Sequence, residues 1–152
     1  MSKKIKYLLT MLGVVFAMVA VCGCGDDKEE KAAREEAERE AYSKDIVALD
    51  SLKTAVMTYV CEPSSSYKDG KTYTLTEMIK IDKANIIKAV LAEAFNIKGN
   101  SGSFNASSKA FKGTTTDDVL ISIDNGAVSI YVPSQVEGYN DYVVGNGKDL
   151  AN

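Results

Sequence analysis

The chain has 152 residues, of which 45% are hydrophobic and 26% charged, enough for one hydrophobic core and too few for two full domains. Eighteen basic against 21 acidic residues leave a net charge of −3, which argues against a phosphate-backbone partner and removes nucleic acid from the expected partners. The sequence contains no His and no Trp, so the commonest general base, the commonest zinc ligand and every His-dependent triad are missing.

Residues 1–6 carry Lys3, Lys4 and Lys6, and residues 7–21 form an uncharged, mostly apolar run. This is the layout of a secretory signal, a charged start followed by an apolar segment. The run of fifteen is short for a permanent span, which needs about 20 apolar residues, and it meets Cys22, Gly23, Cys24 and Gly25 before Asp26 and Asp27. Val21-Cys22-Gly23-Cys24 resembles the bacterial lipobox, in which an aliphatic residue, a tolerated second position and a small residue precede the acylated Cys. The resemblance implies removal of residues 1–23 as a lipoprotein signal peptide and lipidation at Cys24. Cys22 fits less well, because the branched Val21 stands where the pattern wants a small residue. The mature chain would carry a net charge of −6. Its membrane affinity would then come from acyl chains, at about 0.8 kcal/mol per buried methylene, and not from a basic patch. The expected location is the bacterial cell envelope, lipid-anchored on the extracytoplasmic side of a membrane.

Residues 24–40 read as the lipid anchor and a charged helical stalk. From Asp26 to Glu40 twelve of fifteen residues are charged and the other three are Ala, with nothing to interrupt a helix. Acid-before-base pairs at i,i+4 recur at Asp27/Lys31, Glu30/Arg34 and Glu35/Arg39, each contributing about 0.2–0.5 kcal/mol. From Ala41 the pattern becomes amphipathic: Tyr42, Ile46, Leu49, Leu52, Val56 and Tyr59 recur at spacings of three and four, with Ala48, Ala55 and Val60 widening the stripe. Lys44, Asp45, Asp50, Ser51, Lys53 and Thr58 are assigned to the solvent side. Pro63 places the helix end near Val60 to Glu62, giving a helix of about 35 residues and roughly 50 Å.

Residues 41–152 read as the head. A loop over 64–71 leads to Thr74 and Glu77, which stand at capping-box spacing before a short helix. The spacing of Ile87, Val90, Leu91, Ala94 and Phe95 predicts a second helix over residues 83–97, stopped by Gly99-Asn100. Ser101 to Ser108 reads as a polar loop and Ala110-Phe111 as the start of a short strand. Between Asp118 and Pro133, Asn125-Gly126 separates two alternating β-branched runs and predicts a type I′ hairpin. Asp124 then faces Ala127, and the pairs Ile123/Val128, Ile121/Ile130 and Val119/Val132 share an apolar face beneath the helix stripe. Ser122/Ser129 and Leu120/Tyr131 occupy the other face. Tyr139 to Val144 reads as one more short segment, offered as a cover for Leu120 and Tyr131, before a frayed Gly/Asn-rich tail. The fold class is α+β: a long N-terminal helix packed on a small antiparallel sheet, with a second helix between.

A long helix carrying residues 41–56 (Ala41-Tyr42-Ser43-Lys44-Asp45-Ile46 through Leu52-Lys53-Thr54-Ala55-Val56), then a loop, then antiparallel strands, resembles the globular part of type IV pilins and pseudopilins over residues 41 to about 132. Pilins polymerise through a retained apolar helix. Here the apolar run precedes the expected cleavage site, so the resemblance implies a pilin-like head carried singly on a lipid anchor, monomeric and building no filament.

Candidate chemistry is sparse. After acylation of Cys24, Cys61 would be the sole thiol, and its place at a helix end suggests a small buried residue. Asp117, Asp118, Asp124, Asn140, Asp141, Asn146 and Asp149 could offer oxygen ligands, and the resemblance to pseudopilins, some of whose heads bind calcium near their C-terminal loops, implies calcium as the ion such ligands would take. No EF-hand spacing is present, so these read as solvated loop acids. No catalytic residue, metal or cofactor is expected, and the chain is not expected to be an enzyme. The functional expectation is a membrane-anchored lipoprotein with a structural or protein-interaction role. A small ligand-binding or sensor-associated lipoprotein and a pseudopilin-like component of a secretion or pilus system are the alternatives.

Overall fold

The computed structural model describes residues 27–152, which fall into two units, one ending at Glu35 and one spanning Glu36–Asn152. The first element, α1 (Asp27–Val60), contributes to both. Its opening turns are polar and exposed throughout, and the Glu30–Arg34 pair expected at i,i+4 spacing is formed. Among the described residues no helix is long and apolar enough to cross a membrane.

In the second unit Leu49, Leu52, Ala55, Val56 and Tyr59 are buried along one stripe of α1. The stripe holds one residue assigned to solvent by its chemistry: Asp45 is 1% exposed. It stands four residues before Leu49, on the same helical face, and burial is possible because its carboxylate is fully engaged, as described below.

After α1 the chain enters β1 (Thr72–Thr74) and α2 (Leu75–Ile81). The capping box is present as expected: Glu77 N–H donates to Thr74 Oγ1 and Thr74 N–H donates to the Glu77 carboxylate. The expected helix over 83–97 is only α3 (Ile86–Leu91). Asp82 accepts a hydrogen bond from Ile87 N–H at 2.7 Å to start it. Beyond Ala94 the chain turns into β2 (Phe95–Lys98), which pairs antiparallel with β3 (Ser101–Phe104), the stretch expected as loop.

The physical reason is that Phe95-Asn96-Ile97-Lys98 also alternates with period two. Gly99, at φ 64°, forms the first position of a two-residue hairpin turn, where glycine is favoured, and not a helix stop. Gly102 is required in β3, since a Cβ there would collide with the Asn96 carbonyl. Ala110 and Phe111 open no strand; both are fully buried in a turn.

The hairpin of β4 (Leu120–Asp124) and β5 (Ala127–Val132) has the expected register, with Ile123 opposite Val128, Ile121 opposite Ile130, Ser122 opposite Ser129 and Leu120 opposite Tyr131. Asn125 and Gly126 both have positive φ, at 49° and 79°, as a type I′ turn demands. Ile121, Ile123, Ile130 and Val132 are fully buried in one core cluster with the α1 stripe.

The last strand, β6 (Tyr142–Val144), lies beside β5 in a four-stranded antiparallel sheet of order β1-β4-β5-β6. It therefore extends the sheet and does not cover Leu120 and Tyr131. Nor is the tail frayed: Gly147–Ala151 forms a 3-10 helix against β4 and β5. Gly147 is buried so close to the Ile130 carbonyl and Val143 that no side chain would fit.

Candidate functional site

Cys24, the expected acylation site, lies outside the described residues, as does the signal segment. Cys61 follows α1 directly and is exposed with a free thiol, where burial was expected. It sits one residue past the end of the stripe, where the helix no longer turns it into the core.

The loop acids serve the backbone around them. Asp118 accepts from Thr115 N–H at 2.7 Å and from its hydroxyl at 2.8 Å. Asp141 accepts from Ser134 N–H at 2.8 Å and from the Tyr131 hydroxyl at 3.1 Å. Asp124 accepts from the Asn125 amide at 3.0 Å. Among the described residues no group of three or more Cys, Asp or Glu side chains converges as a metal site would require.

The polar residues of α1 act in the same way at longer range. Asp45 accepts from Ser107 N–H at 2.7 Å and from Ser108 N–H and hydroxyl at 2.8 and 2.6 Å. Glu38 accepts from Lys109 N–H at 2.6 Å. Asp50 accepts from the Tyr142 hydroxyl at 2.8 Å, and Tyr42 donates to the Asn140 carbonyl at 3.1 Å while stacking on Phe111. Burial, reinforced by the hydrogen bond and charge of Asp50, pushes the Tyr142 hydroxyl well above the usual tyrosine range. Burial, then Asp141, raises Tyr131 and Tyr42. These hydroxyls are held in the neutral, donating form; those of Tyr42 and Tyr142 join the C-terminal segment to α1, and that of Tyr131 joins β5 to Asp141.

A different arrangement surrounds β2. Three outward groups of its partner β3 are taken: Phe104 N–H donates to the Thr114 carbonyl at 2.9 Å, Gly102 N–H to Thr116 Oγ1 at 3.0 Å, and Thr116 N–H to the Gly102 carbonyl at 2.9 Å. Because Gly102 and Phe104 point theirs away from β2, the residues opposite them, Ile97 and Phe95, point theirs away from β3. Along this free edge lies a hollow of about 380 Å³ lined by Lys88, Ala92, Phe95, Asn96, Ile97 and Asn105. Among the described residues, Lys88 is the one basic or acidic side chain in the lining. The helical spacing over residues 83–97 masks this edge in the sequence, and the signal for it is the alternation of Phe95 and Ile97 with Asn96 and Lys98.

No family model, no curated protein and no solved structure matches the chain.

Proposed function

We propose that the protein is a lipid-anchored head on the extracytoplasmic side of a bacterial membrane, with a protein-interaction role. The anchor rests on the sequence Val21-Cys22-Gly23-Cys24 behind a charged start and an apolar run, with α1 beginning at Asp27, three residues further on. The observation that carries the interaction role is the open edge of β2. There the outward backbone groups of Ile97 lie beside a hollow, while both outward groups of Gly102 in β3 and the N–H of Phe104 are bonded to residues 114 and 116. An unpaired strand edge is a template for another chain.

The test of the anchor is metabolic labelling. Radiolabelled fatty acid should enter the full-length chain in bacteria and be absent from Cys24→Ala, whereas label retained in that variant would defeat the assignment.

A second reading, a pseudopilin-like component of a secretion or pilus system, is favoured by the element order, a long helix ahead of an antiparallel sheet. Detergent-resistant extended polymers of the full-length protein on cells would decide for it and against a monomeric head.

A further inference from the structure

We propose that the free edge of β2 takes up an extended acidic segment of a partner protein by antiparallel strand addition, with an acidic side chain of that segment seated at Lys88. The proposal rests on the interaction reading above and names the class of partner. Three observations carry it.

The first is hydrogen bonding. Ile97 directs its N–H and C=O away from β3 and no hydrogen bond among the described residues takes them up. An added strand satisfies both at once, and an isolated helix or a globular surface does not.

The second is how the other sheet edges are finished. Both outer strands of the four-stranded sheet, β1 and β6, are three residues long, and Thr74 N–H in β1 is held by the Glu77 carboxylate at 3.0 Å. Short or blocked edges suppress pairing with another chain. β2 has four residues, pairs with β3 alone among the described strands, and contributes Phe95, Asn96 and Ile97 to the lining of the hollow.

The third is charge. Lys88 lines the hollow and Lys98 closes the strand, while Glu93, the acid nearest in sequence, is not part of the lining. A carboxylate on the incoming strand meets ammonium groups here, and a lysine would meet like charge. Exposed Ala92 and half-buried Ile97 leave room for a small apolar side chain at alternate positions.

The experiment uses the full-length chain in detergent micelles and a fluorescein-labelled acetylated hexapeptide of alternating Glu and Val. A Lys/Val counterpart and a Glu/Pro counterpart that cannot pair serve as the comparison probes. The Glu/Val peptide should give a saturable rise in polarisation and slow exchange of the Ile97 amide proton by about tenfold or more. Lys88→Glu should weaken it by about tenfold.

Ile97→Pro removes an N–H that points away from β3, so it should keep the hairpin and abolish binding. If that variant fails to fold, the exchange of the Ile97 amide and the Lys88→Glu comparison carry the test alone. Absence of binding by the Glu/Val peptide, equal binding by Ile97→Pro, preference for the Lys/Val peptide, or an Ile97 amide already protected in the free chain would each overturn the proposal. Fatty-acid labelling separates the two readings: label at Cys24 without peptide binding defeats strand addition alone, and peptide binding without label defeats the anchor alone.

Discussion

Two antiparallel hairpins in this protein turn in similar ways and are finished differently. Each reverses over two residues that begin with a left-handed backbone, Asn125 in one and Gly99 in the other. The β4–β5 hairpin has a neighbour on both sides and buries Ile121, Ile123, Ile130 and Val132 in one core cluster with the α1 stripe. The β2–β3 hairpin is closed by Thr114 and Thr116 on one side and left open on the other. Each region is also tied to α1 by carboxylates, Asp50 through Tyr142 of β6, and Asp45 and Glu38 through Ser107, Ser108 and Lys109 after β3. The difference teaches that a strand committed on both edges carries stability, whereas one committed on a single edge keeps hydrogen-bonding capacity for another chain.

The largest test of that contrast is truncation in the two hairpins. Ile121→Ala should cost about 2–5 kcal/mol in urea unfolding, because a fully buried side chain leaves a cavity. Ile97→Ala, half-buried at the open edge, should cost about 1 kcal/mol, and Ser122→Ala on the outer face within about 0.5 kcal/mol. Equal losses at Ile121 and Ile97 would erase the contrast.

Next in size is the tie behind β3. Asp45→Ala leaves the Ser107 and Ser108 amides without their acceptor and should cost about 1–3 kcal/mol. Asp45→Asn, which keeps one acceptor oxygen, should recover part of it. Hydrogen exchange should quicken first at residues 107 and 108; exchange that quickens first in β4 and β5 would place the tie elsewhere.

The tie to β6 makes a smaller, pH-dependent contribution. The Tyr142 hydroxyl is raised above its ordinary value of 10.0 in the folded protein. Its contribution is therefore fully present below pH 10 and declines as pH rises towards the folded value, because the unfolded chain releases its proton first. The melting temperature should fall between about pH 10 and 11, and Tyr142→Phe should make that fall shallower. An unchanged slope would remove Tyr142 from the account.

The smallest effect belongs to the exposed ion pair of the charged turns of α1. Glu30→Ala should change stability by about 0.2–0.5 kcal/mol and by less in high salt. A loss as large as that at Asp45 would mean that the charged turns, and not only the tied segments, support the head.

How far the sequence could be read depended on whether one periodicity dominated. In β4 and β5 the runs Leu120–Asp124 and Ala127–Val132 alternate β-branched residues around Asn-Gly, and helix was never a competitor. At residues 83–97 both periods fit. Ile87 and Leu91 are buried in α3 as a helix requires, and Phe95 is buried as either reading requires, so burial alone could not separate them. Asp45 carries two opposed signals, a charge that favours solvent and a position four residues before Leu49 that places it on the buried face. Cys61 is exposed because it lies beyond the last turn of α1. Of the candidate site residues, Cys24 was legible as a motif and lies outside the described residues, whereas the β2 edge was hidden by the helix reading.

The sequence by itself determined the long helix and its change from charged to amphipathic character, the capping box at Thr74 and Glu77, and the register of β4 on β5. All three are set by contacts between residues close in the chain, where spacing and turn chemistry act directly. Only the tertiary structure decided that residues 95–98 pair as a strand, that Asp45 is buried, that the tail packs on the sheet and that β2 keeps one edge open. Asp45 and the tail depend on partners far away in sequence, Ser107 and Ser108 sitting 62 and 63 residues from Asp45, whereas β2 pairs with the adjacent β3, whose far side is held by Thr114 and Thr116. A polar or ambiguous segment takes the conformation in which distant groups satisfy its hydrogen bonds, and local spacing does not record where those groups will be.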